Sequence, residues 1–115
     1  MNDDRTGRIA VIFVSIRNDA NPIGYGRAAA AMDALAAQQP GYRGVDSARE
    51  AGGDSAREAC GMGITISYWA DDAAAIAWRD HPEHTAIRDH GRSLWYDSYS
   101  VNVSRIERAY DWTRP

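Results

Sequence analysis

The stretch GMGITISYWADDAAAIAWRD, residues 61–80, contains a transition from a strand to a helix. The elements before and after it can be predicted from the flanking sequence. The first part of the stretch alternates with a period of two, which predicts a β-strand. Asp71 and Asp72 suit a helix start, because their carboxylates can cap backbone N–H groups and complement the helix dipole. The predicted strand presents Met62, Ile64, Ile66 and Tyr68 on one face and Gly63, Thr65, Ser67 and Trp69 on the other.

Downstream of this stretch, His81 and Pro82 interrupt the helical pattern. Proline is well placed at a first helical position, so we expect one helix to end here and a second to run through EHTAIRDHGR. Residues 98–110 then read as a long strand, whose alternation slips near Ser104 and predicts a β-bulge there.

Upstream, RIAVIFVSIR at residues 8–17 is rich in β-branched residues and predicts a strand. Both of its faces are apolar, so both should be covered. The alanine-rich residues 25–39 predict a helix that stops before Pro40 and Gly41. Residues 44–51 are a weaker strand candidate.

The resulting order is β-α-β-β-α-β, the ferredoxin-like arrangement of an α+β protein, with four antiparallel strands and the helices on one face. We predict one domain over residues 1–115 with a core at about residues 8–110. The face without helices would expose apolar side chains of the first strand. Two copies packed sheet against sheet would cover it, so we expect a homodimer.

Residues 46–61 contain an octapeptide, DSAREAGG, followed by the near copy DSAREACG. The duplication lies between the second and third predicted strands, where added residues cost little in loop-closure entropy. We expect one copy to extend the second strand and the other to lengthen the hairpin, with Gly52 and Gly53 near the turn. It is either a tolerated replication slip or an arm that reaches the partner or the cavity.

The bulk composition argues against several classes of protein. The net charge is −3 and all 13 basic residues are arginine, mixed with acids along the chain, so no basic surface for nucleic acid or membrane phosphates is expected. A single cysteine, Cys60, allows no internal disulfide, which fits a reducing cytoplasm. No secretion signal or membrane-spanning segment is predicted.

The pattern SYW-x-D-x₃-A-x₂-W-R-x-HPEH-x₃-R-x-HGR-x₂-WY-x-S-Y, within residues 67–99, resembles the antibiotic biosynthesis monooxygenase family. The resemblance extends over roughly residues 8–110 and implies a dimeric α+β barrel with a cavity between sheet and helices. The second octapeptide departs from the family pattern. Branches of this family oxidise aromatic polyketides with O₂ and no cofactor, or open heme oxidatively.

The resemblance to the cofactor-free branch suggests a catalytic set of Trp69, His84 and Arg88. Arg88 would stabilise an oxyanion, and His84, one helical turn earlier, would accept a proton. Thr65 stands where that branch has an asparagine. A small aromatic or quinol-like molecule would be the substrate. Each residue also has a structural interpretation: packing for Trp69, a surface ion pair for Arg88 and a local hydrogen bond for His84.

The alternative branch implies heme binding or degradation. Trp78 matches that branch's tryptophan, but its iron ligand falls on Arg88, so His84 or His90 would have to serve instead. A third possibility is a non-enzymatic dimer that binds a small ligand.

Two further groups of residues have candidate roles. Trp78, Trp95 and Tyr96 are candidate cavity walls, because amphipathic aromatic side chains suit a flat, partly polar ligand. His81, Glu83 and His84, with Asp80 adjacent, form one local cluster around Pro82. A metal site needs three or more converging ligands, usually with some from another element, so we expect no metal and a helix cap formed by His81 or Asp80.

Overall fold

A computed structural model of the chain describes residues 4–18, 22–49 and 61–115. Its elements follow the order β1 (Ile9–Arg17), α1 (Pro22–Ala36), β2 (Tyr42–Arg49), β3 (Gly61–Trp69), α2 (Asp72–Arg79), α3 (Pro82–Leu94) and β4 (Tyr96–Arg105). The four strands form one antiparallel sheet in the order β2-β3-β1-β4. The predicted ferredoxin-like α+β fold is confirmed.

The local signals between β3 and β4 act as predicted. The Asp71 carboxylate caps α2 by accepting from the Ala74 N–H at 2.8 Å. His81 caps α3, where its Nδ1 accepts from the Glu83 N–H at 3.2 Å and Pro82 follows at the first helical position. None of the helices in the described ranges is long and apolar enough to span a membrane.

Several boundaries differ from the prediction. Helix α1 begins at Pro22 rather than residue 25, since proline suits a first turn, and it ends at Ala36. Strand β4 ends at Arg105, which pairs with Ile9, although the Ile106 N–H still donates to the Arg8 carbonyl at 2.9 Å.

The bulge predicted near Ser104 is wrong. Ser104 pairs in register with Ala10, and the irregularity lies at the start of β4, where Arg17 pairs with Tyr96. The duplicated octapeptide contributes Asp46 to Arg49 to β2. The predicted hairpin arm falls on residues 50–60, outside the described ranges.

The two faces of the sheet have different environments. The helix-facing side holds a core of Ile9, Ala36, Trp69, Ala75 and Trp78, which lies at the end of the sheet where Ile9 pairs with Trp69. The outer side carries Ile16, Met62 and Ile64, each more than a third exposed. The core therefore leaves room between sheet and helices toward the other end of β1.

Candidate active site

A cavity of about 640 Å³ lies between the helix-facing side of the sheet and the helices. This volume is in the range of small-molecule sites. It is lined by six residues that the sequence suggested for a site: Thr65, Trp78, His84, Arg88, Trp95 and Tyr96. Thr65 faces the cavity because alternate residues of a β-strand point to the same side, here Thr65, Ser67 and Trp69.

Trp69 lies behind the cavity wall. Its side chain is fully buried, and its indole N–H donates to the Ser67 Oγ at 3.0 Å. Its ring stacks on Trp78 with centroids 5.9 Å apart. Trp78 lines the cavity, and Trp69 packs behind it in the core. The indole N–H of Trp69 is already bonded to Ser67 and is not directed to a ligand.

His84 is held in one orientation by the other face of Trp78. The two rings stack at 4.5 Å with an interplanar angle of 11°, and the His84 Nδ1 lies 2.9 Å from the Trp78 carbonyl oxygen. A carbonyl can only accept, so Nδ1 carries the proton and Nε2 keeps its lone pair. Burial, followed by the charge of Arg88, lowers the His84 pKa, although the carbonyl contact raises it. The imidazole is therefore neutral at pH 7, with Nε2 available as a base.

Arg88 follows one turn later on α3 and lines the same cavity. Its Nε lies 3.6 Å from the Asp89 Oδ1, which makes an ion pair longer than a hydrogen bond. Within the described part of the chain this buried Nε has no hydrogen-bond partner. The guanidinium can therefore donate to a ligand without first breaking a short hydrogen bond from Nε.

The other end of the cavity is formed where α3 meets β4. Trp95 is 3% exposed and packs edge-on against Tyr25 of α1, with ring centroids 5.5 Å apart. Tyr25 also packs edge-on against Tyr96 at 6.1 Å. Both tyrosines line the cavity, so this end is enclosed by aromatic rings that carry hydroxyl groups.

Arg49 of β2 reaches the same end and was not singled out from the sequence. It donates to the Tyr25 hydroxyl at 3.1 Å and to the Gly61 carbonyl at 3.0 Å. It lies over Gly63, its partner in β3, where a Cβ would come within 2.5 Å of the guanidinium. Glycine in the middle of a strand, where it permits close approach, was the one available signal.

The residues around Pro82 form local contacts. Asp80 accepts from the Arg79 guanidinium at 2.9 Å, and His81 caps α3. His90 is exposed, and its ring packs edge-on against Trp95. No group of three metal-ligating side chains converges within the described ranges.

Comparison with known proteins agrees with this architecture. The chain is 48% identical over 99 residues to the uncharacterized protein YqjZ of Bacillus subtilis (strain 168), covering 86% of this chain and 79% of YqjZ. It superposes on SnoaB, a cofactor-independent oxygenase from Streptomyces nogalater, with a TM-score of 0.71, 17% identity, and coverage of 90% of this chain and 97% of SnoaB.

A conserved protein from Methanosarcina mazei Go1 is also similar, with a TM-score of 0.74, 10% identity, and coverage of 90% of this chain and 96% of that protein. At these identities the two solved structures support the fold alone. The model of the antibiotic biosynthesis monooxygenase family matches residues 9–90. The chain therefore belongs to the antibiotic biosynthesis monooxygenase family.

Proposed function

We propose that this protein is a monooxygenase that oxidises an aromatic or quinol-like small molecule with O₂ and without a bound cofactor. The observation that carries the proposal is His84, a neutral imidazole that lines a cavity of about 640 Å³ beside the guanidinium of Arg88. A base and a cation on one helix face are the two groups that such a reaction requires of the protein.

In the proposed reaction, His84 Nε2 takes a proton from the substrate and Arg88 stabilises the resulting oxyanion. The electron-rich anion then reduces O₂. For an anthrone, one oxygen atom becomes the new carbonyl oxygen and the other leaves as water with the two hydrogens of the methylene group. Trp78 orients His84 through the ring stack, and Trp69 supports Trp78 from behind.

The test is oxygen consumption with a panel of anthrone-type phenols such as 1,8-dihydroxyanthrone. We expect His84→Gln and Arg88→Ala to lower the enzymatic rate by roughly 100-fold or more, as removal of a positioned acid–base or electrostatic group does. Arg43→Ala is the control, because Arg43 is exposed on β2, does not line the cavity and donates to the adjacent Tyr42 carbonyl. Full activity in both cavity variants would exclude this mechanism.

Heme binding is the second candidate, because His84 Nε2 is also an unprotonated imidazole nitrogen that could ligate iron. Titration with hemin distinguishes the two proposals. A Soret band that disappears in His84→Ala, with no uptake of oxygen from the phenol panel, would favour heme chemistry. If both assays are silent, a non-enzymatic ligand-binding role is favoured.

We also propose that the protein acts as a homodimer that buries the outer face of the sheet. This face combines alternate residues of the two central strands: Ile12, Val14, Ile16, Met62, Ile64 and Ile66. Ile16, Met62 and Ile64 are exposed and the other three are half-buried. A contiguous apolar surface of this kind marks an association surface. In a dimer with two-fold symmetry, this face of one copy packs against the same face of the other copy.

A further inference from the structure

Arg49, at the end of the cavity opposite His84, carries a positive charge that no carboxylate among the described residues pairs with. Its hydrogen bonds to the Gly61 carbonyl and the Tyr25 hydroxyl use two of the five N–H donors of a guanidinium. In residues 4–18, 22–49 and 61–115 no carboxylate forms an ion pair with it. The remaining donors and the positive charge are thus available to a ligand.

The two tyrosines beside Arg49 add a further donor. Burial raises the pKa of Tyr96, and the charge and hydrogen bonding of Tyr25 raise it further, so its hydroxyl stays protonated. The Tyr25 oxygen already accepts from Arg49. Each of the two adjacent hydroxyls carries one proton, so even a hydrogen bond between them would leave one O–H to donate to a ligand.

Trp95 supplies a third donor at the same end. Its indole Nε1 is buried and lacks an acceptor among the residues with described positions. Buried N–H groups in folded proteins nearly always have a partner, so an orphaned one at a cavity wall calls for an explanation. The Trp95 ring packs edge-on against the Tyr25 ring, so the indole belongs to the same end of the cavity as the two tyrosines.

The geometry points to a carboxylate-binding site at this end of the cavity, formed by Arg49, the Tyr25–Tyr96 pair and the Trp95 indole N–H. All three kinds of group donate, and an ionised carboxylate only accepts. One guanidinium matches a monoanion and can bind it through two parallel hydrogen bonds.

The carboxylate site specifies the class of substrate for the proposed function. The choice of an aromatic ligand rests on that proposed function. Helix α3 runs along the cavity from His84 to its cap at Trp95. At 1.5 Å per residue these two positions are about 16 Å apart along the axis. A ligand that contacts both ends is therefore elongated: a flat aromatic acid with its reacting hydroxyl near His84 and its carboxylate near Arg49.

The test compares binding of anthraquinone-2-carboxylate with that of the neutral anthraquinone-2-carboxamide by tryptophan fluorescence and calorimetry. Neither probe can undergo the proposed oxidation, so the result does not depend on activity. The unaltered protein should bind the carboxylate at least about 10-fold more tightly, as expected for hydrogen bonds to a charged group. Arg49→Gln should abolish that preference and leave binding of the amide unchanged.

Arg43→Gln is the matched control, an exposed arginine on the same strand, and it should retain the preference. Tyr25→Phe keeps the ring, removes one hydroxyl and should reduce the preference in part. Equal binding of both probes by the unaltered protein, no binding of either, or an equal loss of both in Arg49→Gln would overturn the proposal. A retained carboxylate preference without oxygen uptake would refute the oxygenase function alone.

Discussion

His84 has a defined chemical state because three contacts act on one ring. Trp78 stacks against it, the Trp78 carbonyl holds the Nδ1 proton, and Arg88 adds a nearby positive charge. Burial and Arg88 both disfavour the imidazolium form. The same contacts that make Nε2 a base also make protonation costly for the folded protein.

This cost predicts the direction of a pH effect on stability. The folded pKa of His84 lies below the ordinary value, so on acidification the unfolded chain takes up this proton first. Above about pH 6.5 His84 is neutral in both states, and its contribution to the free energy of unfolding is fully present. That contribution is lost as the pH falls through the folded pKa. Thermal unfolding followed by circular dichroism should show a melting temperature that falls less steeply with acidification in His84→Gln than in the unaltered protein.

The exposed residue His90 provides the control for this experiment, and His90→Gln should keep the slope of the unaltered protein. An identical slope in His84→Gln would show that this imidazole titrates in the folded protein as it does in the unfolded chain.

At the scale of single elements, α3 is shaped by packing more than by helix propensity. Gly91 lies in its last turns and is buried against the ring of Tyr96, where an added Cβ would come within 2.7 Å of Cε2. At Gly26 in α1, a Cβ would meet no other described residue within 4 Å, apart from its chain neighbours and the backbone of its own helix. The two glycines therefore separate the effect of close packing from the intrinsic cost of glycine in a helix.

Substituting each glycine with alanine should have opposite effects on stability. Gly26→Ala should raise the free energy of unfolding by about 0.5–1 kcal/mol, since alanine is the better helix former. Gly91→Ala should lower it by about 1–3 kcal/mol, because the methyl group overpacks the contact with Tyr96. Urea denaturation measures both, and a gain in stability for Gly91→Ala would contradict the observed packing.

For the whole molecule, the outer face of the sheet predicts the state of association. Ile64 lies on this face and is 37% exposed, whereas Ile23 on α1 is 72% exposed. If a second copy covers the sheet, Ile64→Lys buries an unpaired charge and should weaken the dimer by roughly 100-fold or more. Ile23→Lys should leave association unchanged. Analytical ultracentrifugation tests this, and a monomer at micromolar concentration before any substitution would contradict the dimer.

The strand and helix signals in the chain are local, which is why they could be read correctly. β-Branched residues marked β1, and period-two alternation marked β3. The Asp71 and His81 caps marked the starts of α2 and α3. The errors in β4 concern its register and its bulge, which are set by the pairing with β1, a strand distant in the chain.

Only the part of the site formed by residues close in the sequence could be predicted. His84 and Arg88 are one helical turn apart, so their proximity follows from the helix alone. Arg49 belongs to the first copy of DSAR and Arg57 to the second, and the two copies are locally identical. Only the register of β2 on β3, which pairs Arg49 with Gly63, brings the first copy to Tyr25.

The sequence by itself determined the order of elements, the fold and the family, because periodicity, capping and a long motif are properties of neighbouring residues. The tertiary structure alone decided which aromatic residue forms the cavity wall and which lies behind it: Trp78 lines the cavity and Trp69 is buried in the core. It also decided that Arg49, Tyr25 and Tyr96 meet. These three come from a strand, a helix and another strand, and their convergence depends on long-range packing that has no local signature.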